Sequence, residues 1–284
     1  MPSKLRNAAG EAWPDELARH AYDALAPFYD DFTRDYEHDA WLDALEEWAK
    51  AHGFCGGDVL DVACGTGKSF LPLLRRGYRV TACDISAAMV ERAREKVHGA
   101  AHVVVADMRS LPWVAGFDLI TCLNDSINYL LSREALEAAL TSMWAALRPG
   151  GVLIFDGNSL GAYRSAFAGT YDKQDGERHF RWRGEIGPDI APDSICAATL
   201  DVEDCGERIS TRHVQRHWPV AALRAAVSGV GFETVAVRGQ LIGGRLEGEP
   251  DELRHTKVVC LATRSSHRLS AVRSAKYSDG GETS

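Results

Sequence analysis

The chain has 284 residues, 45% of them hydrophobic and 25% charged, ordinary proportions for a globular protein that exclude collagen, coiled coil and wholesale disorder. Lys and Arg number 32 against 40 Asp and Glu, a formal net charge of −8, and such a surface repels a phosphate backbone, so no nucleic-acid partner is expected. No apolar run approaches the ~20 residues of a membrane span, the first twenty residues hold no apolar signal core, and the seven cysteines form no C-x-x-C pair; no membrane partner, zinc ribbon or disulfide scaffold is expected, and the cytoplasm is the expected location.

Residues 1–15 and 265–284 read as flexible ends flanking a domain over 16–264. Trp41, Leu42, Leu45, Trp48 and Ala49 at helical spacing predict an amphipathic helix over 39–52. Asp58 to Cys64 is a short apolar run ending at Gly65 and Gly67, a buried strand entering a tight turn. Phe70, Leu71, Leu73 and Leu74 follow on a helix that stops at Gly77. Tyr78 to Asp84 is a second strand, and Ser86 caps a helix to about Val97. Ala101 to Asp107 and Phe117 to Leu123 are the third and fourth strands. Ser132 caps a helix carrying Leu136, Leu140, Met143, Trp144 and Leu147, closed by Pro149-Gly150-Gly151, and Val152 to Asp156 is the fifth strand. Residues 178–186, 194–203 and 207–216 look like three extended segments of an insertion (161–217) laid over one edge of the main sheet. A helix from Pro219 and strands at Phe232–Val237 and Lys257–Thr263 complete the chain. Apolar strands alternating with helices predict an α/β fold: a seven-stranded, mostly parallel sheet with helices on both faces, plus an antiparallel β insertion after strand five.

In an open parallel sheet, ligands bind beyond the carboxyl ends of the strands. Those ends here carry Gly65-Thr66-Gly67, Asp84, Asp107, Asn124-Asp125, and Asp156 with Asn158. Glycines allow close backbone approach, an acid after strand two accepts from ribose hydroxyls, and an acid after strand three accepts from an exocyclic amine. This describes a nucleoside pocket. A dinucleotide needs a third glycine where Phe70 stands, and a triphosphate loop needs glycine where Val62 stands. S-adenosylmethionine, which has no phosphate, needs neither.

The segment VLDVACGTGKSFLPLL resembles the first motif of class I S-adenosylmethionine-dependent methyltransferases. TACDISAAMVERAREK resembles their second motif, Ala106-Asp107-Met108 the adenine-edge motif, FDLITCLNDSINYL the segment after strand four and LRPGGVLIFD the strand-five motif. AYDALAPFYD, starting at Ala21, resembles the lid of the small-molecule type. The match spans about residues 40–160 and, more weakly, 217–263. It implies a Rossmann-like fold with S-adenosyl-L-methionine as cofactor. Ala63 and Gly65 then contact the methionyl part, and Asp84 holds the ribose. Ile85 and Met89 lie beside the adenine, Asp107 meets its amine and Met108 packs on the ring. Asn124 presents its backbone near the sulfonium, and Tyr22 or Tyr29 closes over the methionyl carboxylate.

Methyl transfer requires in-line alignment and exclusion of water, and a hydroxyl nucleophile also requires a base. Acceptor-side candidates are Asp125, Asn128 and Tyr129 after strand four, Asp156 and Asn158 after strand five, His179, Trp182, His213 and His217 in the insertion, and Arg254-His255 before the last strand. His213 is the expected base, and Tyr129 and Asp125 are the other expected catalytic residues. His213 and His217 lack a third metal ligand, so no metal is expected. The expected acceptor is an amine or hydroxyl on a sugar, amino acid or secondary metabolite, and the expected state a monomer or homodimer. The alternatives are a non-catalytic S-adenosylmethionine-binding protein and a nucleotide hydrolase.

Overall fold

The computed structural model describes residues 14–36 and 38–265. The expected flexible ends therefore lie outside the described residues, apart from Pro14, Asp15 and Ser265. Strands β1 (Asp58–Val62), β2 (Arg79–Asp84), β3 (His102–Val105), β4 (Phe117–Cys122), β5 (Leu147–Asn158), β10 (Phe232–Gln240) and β11 (Lys257–Arg264) form one seven-stranded sheet in the order β10-β11-β5-β4-β1-β2-β3. β1 to β5 pair in parallel, and β11 runs antiparallel to both of its neighbours. Strand order reverses between β1 and β4, which opens a crevice at their carboxyl ends.

Alternate residues of β1 enter two separate cores. Leu60 and Val62 pack with Leu136, Leu140 and Met143 of α6 (Arg133–Ala146) and with Leu223 and Val227 of α8 (Val220–Val230). Val59 packs with Trp41, Leu45 and Trp48 of α3 (His38–Lys50), Leu73 of α4 (Leu71–Arg75), and Val90 and Ala93 of α5 (Ala87–Val97). Each such side chain, fully buried, contributes roughly 1.5–3 kcal/mol.

Three local expectations are revised. Helix α6 ends at Ala146, and Leu147 already pairs with Phe117 as the first residue of β5. Pro149 cannot extend a helix, and a Cβ on Gly151 would come within 2.9 Å of the Arg148 carbonyl. After α7 (Leu160–Ala166) the insertion has four strands, not three: β6 (Thr170–Asp175), β7 (Arg178–Gly184), β8 (Ile195–Asp204) and β9 (Glu207–Arg216), each antiparallel to the next. β6 reads TYDKQD and buries none of its side chains fully, so it has no apolar alternation to recognise. The insertion also lies over the carboxyl ends of β4 and β5 rather than along a sheet edge. Asn128 donates to the Arg216 carbonyl at 2.7 Å, and Gln215 donates to Asp125 at 2.8 Å.

The N-terminal strap, α1 (Pro14–Leu25) and α2 (Tyr29–Phe32), crosses between the two sheets. Leu25 packs with Phe180, Leu200 and Val202 of the insertion. Asp31 pairs with Arg178, Arg34 with Asp175 and Asp35 with Lys173. On the other side Asp30 accepts from Thr66 at 2.6 Å and pairs with Lys96, and Asp23 accepts from Ser86 Oγ at 2.6 Å.

Candidate active site

The turn after β1 leaves the sheet through Ala63 (φ 56°), Gly65 (φ 53°) and Gly67 (φ 94°). Left-handed geometry is easy for glycine and costly for alanine, so Ala63 is held there by its surroundings. Part of that hold is Asp61, a buried carboxylate that accepts from Ser69 Oγ at 2.5 Å and Thr121 Oγ1 at 2.6 Å. Burial pushes Asp61 up to about 6. It braces the turn from behind. A Cβ on Gly67 would press at 3.1 Å on the fully buried Phe70 ring, which fills the place where a dinucleotide fold needs open space.

A cavity of about 670 Å³ opens above this turn, and a second lobe of about 450 Å³ shares Ala18, Ala63, Ile85, Met108 and Tyr129 with it. Ala63, Gly65, Asp84, Ile85, Met108, Asn124, Tyr22, Tyr29 and Tyr129 all line the larger lobe, and Asp107 lines the smaller. Asp84 stands at the end of β2. Its two oxygens accept from the backbone N–H of Gly65 at 2.8 Å and of Ser86 at 2.9 Å, which fixes the carboxylate plane at the cavity wall. Burial pushes its pKa up to about 6. Asp107 is held by Arg109 through both oxygens, and although burial works the other way, that guanidinium keeps it below the usual carboxylate range. Met89 lines neither lobe; it is fully buried in α5, its backbone N–H capped by Ser86 Oγ.

Tyr22 and Tyr29, seven residues apart, suggest a single helical stripe. The helix in fact breaks at Pro27, with α1 ending at Leu25 and α2 starting at Tyr29. A proline lacks the N–H a helix needs and pushes its predecessor out of helical geometry. Both rings still reach the cavity, 6.1 Å apart and edge-on.

Asn124 and Asp125 both adopt left-handed backbone geometry (φ 61° and 55°). The Asn124 amide lies 3.3 Å from His38 Nε2, and His38 Nδ1 donates to the Tyr36 carbonyl at 3.0 Å. Asp125 lines neither lobe and is committed elsewhere: Lys257 donates to it at 2.8 Å, and to the fully buried Asp156 at 2.6 Å. The two carboxylates raise the Lys257 pKa despite its burial, so the ammonium stays charged.

The base expected at His213 is not exposed to the cavity. The ring is 2% exposed, Nδ1 lies 3.0 Å from Tyr129 Oη and Nε2 lies 3.0 Å from Thr211 Oγ1. Burial lowers its pKa to about 4, so it is a neutral imidazole with both nitrogens engaged. His217 sits apart, bonded to Glu252 at 2.7 Å and to the Asp193 N–H at 3.2 Å. Among the described residues no group of three or more His, Cys, Asp or Glu is placed to hold a metal ion. Of the other candidates, His179 pairs with Asp172, the Trp182 N–H donates to the Ala166 carbonyl, and Arg254 and His255 pair with Glu247. Asn128 and Asn158 bond to each other and to the insertion.

Sequence reading missed His38 and Lys68, which both line the larger lobe. Lys68 precedes α4 rather than opening it and donates to the Thr33 carbonyl at 2.6 Å, tying the strap to the glycine turn. Nothing local marks His38, because its partner Asn124 lies 86 residues further along the chain, just after β4.

The cavity fits a phosphate-free nucleoside. A short glycine turn leads to an aromatic ring, an acid ends β2, and the turn after β1 is too short to wrap a phosphate. A family model described as a methyltransferase domain matches residues 59–151. YqeM of Bacillus subtilis (strain 168), whose name ranks it provisionally as a methyltransferase, is 28% identical over 75% of this chain and 86% of its own length. Two further curated relatives are matched over 58% and 47% of their own length. Among solved structures, an S-adenosylmethionine-dependent methyltransferase from Clostridium acetobutylicum superposes with a TM-score of 0.71 at 22% identity, covering 86% of this chain and 99% of that one. A sugar N-methyltransferase from Streptoalloteichus superposes with a TM-score of 0.66 at 24% identity, covering 84% and 92%. Motif order, sheet topology and the matched domain converge: the chain carries a methyltransferase domain over residues 59–151 and has the fold of S-adenosylmethionine-dependent methyltransferases.

Proposed function

We propose that the enzyme methylates the nitrogen of a small-metabolite amine. The observation that carries this reading is that the candidate general bases beside the cavity are each already engaged. His213 is held by Tyr129 and Thr211, His38 Nε2 faces the Asn124 amide, and Asp125 is neutralised by Lys257. A hydroxyl acceptor needs a base to take its proton, whereas a neutral amine attacks through a lone pair it already has. The likeness to a sugar N-methyltransferase structure agrees with this, and the strap and insertion over the carboxyl ends of the strands suit a small acceptor rather than a macromolecule.

In this reading Asp84 accepts from the ribose hydroxyls, Ile85 and Met108 sandwich the adenine, and Asp107 meets its amine. Ala63 and Gly65 leave room for the methionyl chain, with Asn124 and Tyr29 beside it. The cofactor supplies a methyl group on a sulfonium that departs as a neutral thioether. The protein aligns the amine with that methyl and excludes water, and these two tasks make up its catalytic contribution. The test is incubation with isotope-labelled cofactor and matched panels of amines and alcohols. Label is expected in amine products one CH₂ heavier than their parents. Transfer confined to alcohols, or tight cofactor binding with no transfer to any acceptor, overturns the proposal.

A further inference from the structure

A hydrogen-bond line runs from the cavity wall into the insertion sheet. Tyr22 Oη donates to Tyr129 Oη at 2.9 Å, Tyr129 Oη lies 3.0 Å from His213 Nδ1, and His213 Nε2 lies 3.0 Å from Thr211 Oγ1. Thr211 Oγ1 in turn donates to the Leu200 carbonyl at 3.3 Å. With the Thr211 hydrogen on that carbonyl the direction of the other links follows, and it agrees with the donation from Tyr22 to Tyr129 at the cavity end. A threonine hydroxyl that has given its hydrogen to a carbonyl offers only lone pairs to the imidazole. The ring must then carry its hydrogen on Nε2, which leaves a lone pair on Nδ1. Tyr129 donates to that lone pair and receives the Tyr22 hydrogen. Every hydrogen in the line thus points away from the cavity. The line is shielded: Thr211 is 4% exposed and His213 2%, and the Trp182 ring lies against the imidazole at 5.5 Å.

We infer that Thr211 and His213 are positioning residues that fix the hydrogen-bond polarity of the acceptor wall, so that Tyr22 presents lone pairs only and the site takes a nitrogen that still carries hydrogen. This rests on the amine reading and narrows it. An amine whose N–H is held by the Tyr22 oxygen is oriented by that bond, which aims its lone pair at the methyl group. The N–C bond forms as the C–S bond breaks, sulfur keeps the electron pair, and the nitrogen afterwards releases one proton to water. Primary and secondary amines satisfy the wall. A tertiary amine has no hydrogen to offer, so methylation stops at the dimethylamine and no quaternary ammonium product forms.

The test uses the full chain with ¹⁵N-labelled histidine. The His213 ring is expected to carry its hydrogen on Nε2, and a hydrogen on Nδ1 overturns the inference. Thr211→Val keeps the shape and removes the lone pair, so the ring hydrogen is expected to move to Nδ1 and reverse the line. With glycine or an aminopentose as acceptor, kcat/KM should then fall at least about tenfold while cofactor affinity stays within about twofold, and Thr211→Ser should restore the rate. A Thr211→Val enzyme whose tautomer moves with no change in acceptor kinetics overturns the inference. So does a trimethylated product from the wild type offered N,N-dimethyl derivatives of these amines, a measurement that stands even if Thr211→Val fails to fold. A wild type with hydrogen on Nε2 that methylates only alcohols removes the substrate half together with the amine reading, whereas a hydrogen on Nδ1 removes the inference alone.

Discussion

Asp84 is the side chain on which cofactor binding should depend most steeply. Its two backbone N–H partners fix the plane of the carboxylate before any ligand arrives, so no ordering cost remains to be met on binding. Asp84→Asn should weaken cofactor binding by roughly 1–3 kcal/mol in calorimetry, through loss of charge-assisted acceptance from the ribose. The pH dependence has a definite sign. A carboxyl raised to about 6 in the folded protein is protonated below that value and loses acceptor capacity. Cofactor affinity should therefore be level above pH 7 and decline as pH falls through about 6. Stability runs the other way for this group: a raised pKa favours the folded state while the group is protonated, and that contribution is lost as pH rises through about 6. An affinity unchanged between pH 5 and pH 8 contradicts the assignment. Asp84, Gly65 and the misfit of Phe70 to a dinucleotide were all legible in sequence, because the turn and the strand ends are local. The state of His213 was not, since its burial and its Tyr129 partner come from the tertiary fold, and Thr211, two residues away on β9, marks nothing by itself.

The strap and the insertion are the parts that sequence conveyed least well. Helical periodicity ran through Pro27 as if Tyr22 and Tyr29 shared one helix, and the polar strand β6 left no apolar trace. Both elements are held by contacts distant in sequence, such as Arg34 with Asp175 and Asp31 with Arg178, and no local propensity announces such contacts. Their joint role can be tested at Asp30, which links α2 to the glycine turn through Thr66 and to α5 through Lys96. Asp30→Ala should leave the fold intact and speed cofactor dissociation about three- to tenfold in stopped-flow displacement, since exposed ion pairs contribute little to folding but hold a strap in register. A dissociation rate equal to wild type would assign the strap no part in retention.

The main sheet was read correctly in strand number and mostly parallel sense, because strands buried on both faces are continuous apolar runs. What could not be read was how the last strand completes the architecture. β11 returns antiparallel beside β5 and places Lys257 in register with Asn158, so that its ammonium bridges Asp125 and Asp156. Lys257→Met should lower unfolding free energy in denaturant titration by about 3–5 kcal/mol, because it leaves the fully buried Asp156, and the partly exposed Asp125 beside it, without their counter-charge. The strap carries a different lesson. Besides its apolar packing, it is tied to the insertion and to α5 by partly exposed charges, and dissolved ions weaken such ties within a Debye length of about 8–10 Å. If letting go of the spent nucleoside is the slow event of each cycle, a modest rise in ionic strength should quicken steady-state turnover, with salt acting as a throttle on an enzyme whose own surface chemistry sets its pace.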